Sequence, residues 1–465
     1  MTPPSSLKTG PRKAARSPRA PRRWEPGPRS LALFNQEAPL IAPGLQSIAL
    51  YSRLAIDRGL GCRLFDLDGV SYLDFAAGIG VASVGHAHPR HVKALQDQAA
   101  RVSVGSFTTE NRVAFLKTFA RVAPHGLSRV QFYSGGSEAV EAAVRLAKSH
   151  TRHFELLSFW GGFHGKTGGV LGLLGDDFKN QLGPLMPGTY LAPYPNPYRC
   201  PFGTREHHDC AAHCLEFARA KLDRETTGRL AMILVEPVQG TAGNVIPPRG
   251  FLKGLSELAK ERGALLLADE MITGFGRTGR LFGFMHEDVV PDALTIGKGV
   301  AGGFPVSGLV TSDPVSGAKP FANPSGSSSS YGGNPLAAAS VRATLDIVLE
   351  EGLIENSRVV GEHLLKRLKE IQARHRFIGD VRGRGLLIGI DLVQDPATRE
   401  PLPRNVTRAL FEACLRRGLL SMCYGPVIRI NPPLTLTEAE ADEGAEKLGE
   451  AFDEIARTFG LDGRP

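Results

Sequence analysis

The chain has no apolar run long enough to cross a bilayer, so no transmembrane helix is expected. It is also poor in cysteine, with six in 465 residues, too few for a disulfide framework. Cys200, Cys210 and Cys214 cluster with His207, His208 and His213, but no pair has the Cys-x-x-Cys spacing of structural zinc. The expectation there is a surface excursion with reduced thiols and no metal. No sequence repeat is present. Beyond residue 30 there is little excess charge either. The net charge is +8, and residues 1–30 hold eight Lys and Arg against Glu25, which is +7. That leaves about +1 for the rest. The basic character therefore belongs to a Pro-, Ser- and Arg-rich stretch, which predicts a disordered tail over 1–30. The tail lacks the apolar stretch of a secretory signal. The expectation is a cytoplasmic protein with no membrane and no nucleic-acid partner.

What is present is an alternation. Short apolar runs at Val130–Tyr133, Leu156–Phe159, Met232–Val235 and Leu265–Leu267 are separated by helical stretches. Buried strands alternating with helices predict a mostly parallel sheet covered on both faces. Before this region, residues 31–65 read as irregular structure leading to a hairpin. Its Asp-Gly turn at Asp68-Gly69 lies between Phe65-Asp66 and Tyr72-Leu73-Asp74. Beyond residue 335, Val341, Leu345 and Val348, then Leu364, Leu368 and Ile371, recur at helical spacing. Thr437 followed by Glu440 reads as a capping box.

The chemistry concentrates after the strands. Lys298 sits between Gly297 and Gly299, and Asp269 ends the Leu265–Ala268 run. A lysine and an acid so placed suit pyridoxal 5′-phosphate (PLP). The lysine forms a Schiff base with the aldehyde, and the aspartate keeps the pyridine nitrogen protonated. Ser134-Gly135-Gly136-Ser137 opens a helix whose N–H groups suit a phosphate, with Gly136 and Ser137 as ligands. Ser137 is equally suited to be a plain helix cap. Phe163, in Phe163-His164-Gly165-Lys166, could stack on a ring, and Lys166 could reach a carboxylate. Glu236 opens Glu236-Pro237-Val238-Gln239-Gly240 after another strand. Ligands collect at such strand ends in doubly wound sheets. Arg429, alternating out of Val427–Ile430, suits bidentate carboxylate recognition, or a surface salt bridge.

In order along residues 45–455, these motifs resemble the class III aminotransferases, the family of 4-aminobutyrate, ornithine and acetylornithine transaminases. Further carriers are Gly78-Ile79-Gly80-Val81, Gly85-His86-Ala87-His88-Pro89, Gly274–Gly279 and Gly332-Gly333-Asn334-Pro335. The resemblance implies an α/β, fold-type I PLP-dependent transferase. Its large domain carries a mostly parallel sheet of the seven-stranded type, beside a smaller α+β domain. The boundaries expected are 31–90 for an N-terminal segment of the small domain, 91–335 for the PLP domain and 336–465 for the C-terminal small domain. It implies Lys298 and Asp269 as catalytic groups. Gly136, Ser137, Phe163, His164, Glu236, Met271 and Ile272 would surround the cofactor. Ser330 would reach the phosphate from a neighbouring subunit, which implies a homodimer with shared sites. Arg429, Lys166 and Ile79 would meet the substrates, an amine donor and a 2-oxo acid.

The departures bear on substrate. Thr241 stands where 4-aminobutyrate-type enzymes carry an acid, Ile272 replaces a glutamine, and Lys166 replaces an arginine. The expected reaction moves an amino group from an ω-amino acid or diamine to 2-oxoglutarate or pyruvate. The rivals are an amino-acid racemase or epimerase on the same scaffold, whose relatives can carry an acid at the position of Thr241, and a non-catalytic binding protein.

Overall fold

The computed structural model describes residues 23–105, 107–203 and 207–461. The first of these already depart from the expected tail. A helix, Pro28–Glu37, begins inside it, and a second, Ser47–Ser52, lies in the stretch read as irregular. Gly27 offers no side chain to cap the first helix. Asp68 does so instead, accepting from the N–H groups of Arg29 and Ser30 at 2.9 Å. Residues 1–22 lie outside the described residues.

Strands β1 (Ile56–Leu60), β2 (Arg63–Asp66) and β3 (Ser71–Asp74) form an antiparallel sheet with the expected hairpin between β2 and β3. Leu419–Leu420 adds to it in parallel. The main sheet has seven strands: β4 (Arg129–Tyr133), β5 (Glu155–Phe159), β6 (Thr189–Ala192), β7 (Leu230–Val235), β8 (Leu265–Asp269), β9 (Ala293–Ile296) and β10 (Ser307–Thr311). Their spatial order is β4-β10-β9-β8-β7-β5-β6. Only β10 runs against its neighbours. The chain ends of β4, β5, β7, β8 and β9 therefore open onto one edge of the sheet. Strands β5 and β7 to β10 are buried at every position, as a sheet covered on both faces requires.

A separate core joins Tyr72, Phe75 and Val84 to residues 347–456. Its strands β11 (Ile378–Arg384) and β12 (Leu387–Asp395) are antiparallel, and Val427–Ile430 pairs along β12. The final helix, Glu438–Phe459, starts on the expected capping box of Thr437 and Glu440. The cysteine segment corrects the sequence reading. Cys210 and Cys214 are buried on the helix His207–Glu225, not displayed on a surface excursion. No group of metal-ligating side chains forms among the described residues, and nothing is described of the side chains of His207 and His208.

Candidate active site

A cavity of about 440 Å³ lies at the edge where the strand ends converge. Gly136, Ser137, Phe163, His164, Lys166, Asp269, Met271 and Lys298 all line it. They come from the ends of β4, β5, β8 and β9, which no single stretch of sequence joins.

Lys298 is held in a left-handed conformation, φ 44°, that costs energy for a residue with a Cβ. Its neighbour Gly297 leaves room for the side chain of Met271. A Cβ there would lie 2.4 Å from the sulfur of Met271. The lysine is partly open to the cavity, but the protein around it lowers its pKa by desolvation. The carboxylates of Asp269 and Glu236 oppose this, and the charge of Arg429 adds to it.

Asp269 is 2% exposed, and three hydrogen bonds hold it while leaving acceptor capacity on its oxygens. Its Oδ2 lies 2.7 Å from Nδ1 of His164; its Oδ1 accepts from the Thr295 hydroxyl and the Met271 N–H, each at 3.1 Å. His164 is fixed on its far side by Ser158 Oγ at 3.2 Å.

On the opposite side lies the start of the helix Gly136–Thr151. The cap is Gly135, not Ser137. The Glu138 carboxylate accepts from the N–H groups of Ser134 and Gly135 at 2.9 and 2.8 Å. This leaves the N–H groups of Gly136 and Ser137 without an acceptor among the described residues. The Ser137 hydroxyl instead accepts from the Lys166 N–H at 3.2 Å. Gly165 makes that approach possible: its φ is 119°, and a Cβ would lie 2.0 Å from Ser137 Oγ. The ammonium of Lys166 sits 4.2 Å from the Phe178 ring centre, and Phe178 meets Phe163 edge-on at 5.6 Å.

Other expected residues stand just outside this lining. Glu236 is buried and braces two loops, accepting from Phe163 N–H at 3.0 Å and Gly240 N–H at 2.9 Å; burial raises its pKa. Ile272 packs with Val238 and Leu387. Ile79 lies in a run of left-handed residues, Ala77 to Gly80, and Val81 rather than Ile79 reaches the cavity. Asp74 holds that run by accepting from the Ala76 and Ala77 N–H groups at 2.8 and 2.9 Å. Ser330 is exposed on the loop before the helix Pro335–Glu350. Arg429 is half-buried and has no carboxylate partner among the described residues, which removes the salt-bridge alternative. Sequence reasoning missed Phe304, Pro305 and Val306, which wall the cavity. The Gly302-Gly303-Phe304-Pro305 run just after Lys298 was the signal available.

The cavity's polar groups fit PLP. It presents an amine for the aldehyde, a fixed carboxylate for the pyridine N–H, and unspent helix N–H groups for the phosphate. A mostly parallel sheet with this set at its strand ends defines a PLP-dependent enzyme of fold type I. More particularly, the chain belongs to the class III aminotransferases: residues 48–452 match the family model Aminotransferase class-III. Among curated proteins, it is 35% identical over 442 residues to the alanine/serine racemase of Pyrococcus horikoshii, covering 92% of this chain and 91% of that one. It is also 35% identical over 403 residues to the probable 4-aminobutyrate aminotransferase of Bacillus subtilis, covering 84% and 91%. Among solved structures, a PLP-bound amine transaminase from an uncultivated Pseudomonas species matches with a TM-score of 0.84. That match is at 31% identity, over 89% of this chain and 98% of that chain.

Proposed function

We propose that the protein transfers an amino group from a terminal amine donor to a 2-oxo acid in two half-reactions. The donor class is an ω-amino acid or diamine of the 4-aminobutyrate or ornithine type; the acceptor is 2-oxoglutarate or pyruvate. The observation that carries this reading is Arg429, half-buried and without a carboxylate of its own, yet close enough to lower the pKa of Lys298. A guanidinium that meets the Tyr424 hydroxyl but no carboxylate, near the reactive amine, suits a substrate carboxylate.

Bound PLP supplies an electron sink for the charge left when the donor carbon loses its proton. Lys298 would be the covalent attachment point, and its Nζ would move that proton. Desolvation lowers the pKa of this amine, which favours its role as proton acceptor. Asp269, held by three partners, keeps the pyridine nitrogen charged. Gly136 and Ser137 would hold the phosphate, Phe163 and His164 would bound the ring, and Glu236 keeps both adjoining loops in place. Lys166 and Arg429 would meet the substrates, and Val81 takes the cavity position expected of Ile79.

The working unit in this reading is a homodimer in which Ser330 crosses to the partner's phosphate. The exposure of Ser330, and of Val102, Val104 and Phe107, supports a covered surface. A small domain built from 31–90 and 336–465 around a PLP domain of 91–335 is part of the same proposal. So is a cytoplasmic location. Among the described residues no helix is long and apolar enough to cross a membrane.

The likeness to an alanine/serine racemase favours one second reading, racemisation. Thr241 argues against it, because it lacks the acid that can serve as second base. The deciding experiment compares the absorption spectra of wild type and Lys298→Ala as amines are added. The proposal expects a visible band in wild type alone, bleached by particular amines. A wild type that stays colourless with added PLP overturns it. Incubating one enantiomer of an amino acid without any oxo acid separates the rivals, since only a racemase turns over repeatedly.

A further inference from the structure

A second cavity, about 410 Å³, lies between Asn196–Tyr198, Ile246–Arg249 and strand β11. It shares no lining residue with the cofactor cavity. Its walls carry four guanidinium groups, from Arg249, Arg382, Arg384 and Arg399, and a single carboxylate, Asp380.

These arginines differ in how far their charge is already answered. Arg382 is saturated: it donates to Asp380 and Asp391 at 2.7 and 2.6 Å and to the Gly243 carbonyl at 2.7 Å. Arg399 lies 4.8 Å over the Tyr198 ring and donates to the Tyr198 carbonyl. Arg249 reaches only Asp288, at 3.8 Å, with both side chains more than four-fifths exposed. The side chain of Arg384 has no hydrogen bond and no ion pair among the described residues, although the residue is partly buried. Burial lowers its pKa, and the negative charge of Glu287 only partly opposes that. Glu287 accepts from the N–H groups of Gly250 and Leu252 through Oε2 and makes no ion pair with Arg384; its Oε1 is buried without a hydrogen-bond partner. The Tyr198 hydroxyl, also at this cavity, is buried with no hydrogen-bond partner.

The lining therefore holds four guanidinium groups against one carboxylate, and a partly desolvated cation that no carboxylate contacts directly is costly. We propose that this pocket is an anion site for a small, multiply charged oxyanion, with Arg384 and Arg249 as the groups free to bind it. Planar guanidinium groups bind phosphate and carboxylate oxygens alike, so the shared chemistry is the oxyanion. The walls of Pro197, Pro247 and Pro248 suit a compact ligand, since they present little else to bind.

The test uses PLP-loaded enzyme and two probes, inorganic pyrophosphate and citrate, against sodium chloride at matched ionic strength. The thermal unfolding midpoint and the visible cofactor band are followed together. The proposal expects a saturable rise of the midpoint with one or both probes and an unchanged cofactor band. A response to pyrophosphate alone assigns a phosphate ligand, and a response to citrate alone a carboxylate one. In Arg384→Met the apparent affinity falls about tenfold or more, as loss of a charged hydrogen-bonding group predicts. Arg249→Gln, at an exposed position, weakens binding too and keeps the test valid should Arg384→Met fail to fold. No rise beyond chloride, equal affinity in wild type and Arg249→Gln, or loss of the cofactor band as the anion binds would overturn it.

Discussion

Nδ1 of His164 lies 2.7 Å from Oδ2 of Asp269, and both side chains are within 2% of full burial. With Nε2 turned to the Ser158 hydroxyl, the network assigns the proton to Nδ1, which donates to the carboxylate. The histidine thus fixes the orientation of Asp269 and stabilises its charge. Asp269→Asn should lower kcat by about 10²–10³, the loss typical of one preorganised electrostatic group. His164→Gln should lower it by about 10–100-fold, as removal of an orienting partner does. Because His164 acts through Asp269, the double variant should be little worse than Asp269→Asn alone. Steady-state kinetics on all four proteins decide it; losses that multiply would mean two independent roles.

Arg429 stands opposite Gly389 on the neighbouring strand and has no acid to neutralise it. If it binds the oxo acid, Arg429→Ala removes charged hydrogen bonds worth about 1.5–3 kcal/mol. The KM for 2-oxoglutarate or pyruvate should rise about 10–100-fold, while the half-reaction with an amine lacking a carboxylate changes little. Stopped-flow measurement of the two half-reactions separately gives the answer. An equal loss in both would place the arginine in general packing.

Trp24 lies inside the stretch whose composition predicts a disordered tail, yet it is tied to the fold. Its Nε1 donates to the Ser52 carbonyl at 3.0 Å, and its ring meets Tyr72 edge-on at 6.4 Å. Deletion through residue 30 should therefore cost stability, about 2–4 kcal/mol for a large aromatic anchor. Deletion through residue 22 keeps these contacts. Denaturant unfolding of the two truncations compares them, and equal stabilities would refute the anchoring.

The sequence is legible where local patterns decide the structure. Asp269 and Lys298 stand out because one ends and the other follows a buried strand, and Thr437 with Glu440 because a capping box is a local device. The helix Pro28–Glu37 is illegible for the opposite reason. Its cap comes from Asp68, which no neighbouring residue foretells. The tie of His164 to Asp269 spans 105 positions and exists only once β5 and β8 share a sheet. The cysteines of His207–Glu225 were misread through their chemistry. Cys210, Cys214, Ala218 and Leu222 recur every four residues and are a helix's buried face.

Glu270 and His286 give the fold opposing responses to pH. Glu270 is buried and accepts from the N–H groups of Gly283 and Phe284 at 2.8 and 2.9 Å. Desolvation still raises its pKa to about 7. A carboxyl raised in the folded state contributes stability that is present below about 4.5 and is lost as pH rises through 7. His286 hydrogen-bonds Thr278 through Nε2, and burial, then the charge of Arg384, lowers its pKa to about 4. Its contribution is present above 6.5 and is lost as pH falls through 4. Each ramp is worth about 3–4 kcal/mol at most. They run in opposite directions over nearly the same range, so their sum is almost flat. Replacing His286 by Asn removes one ramp and exposes the other. Relative to wild type, the variant should lose about 2 kcal/mol as pH rises from 4.5 to 6.5. Urea unfolding across that range measures the difference, and parallel pH profiles would show that His286 titrates normally in the folded protein.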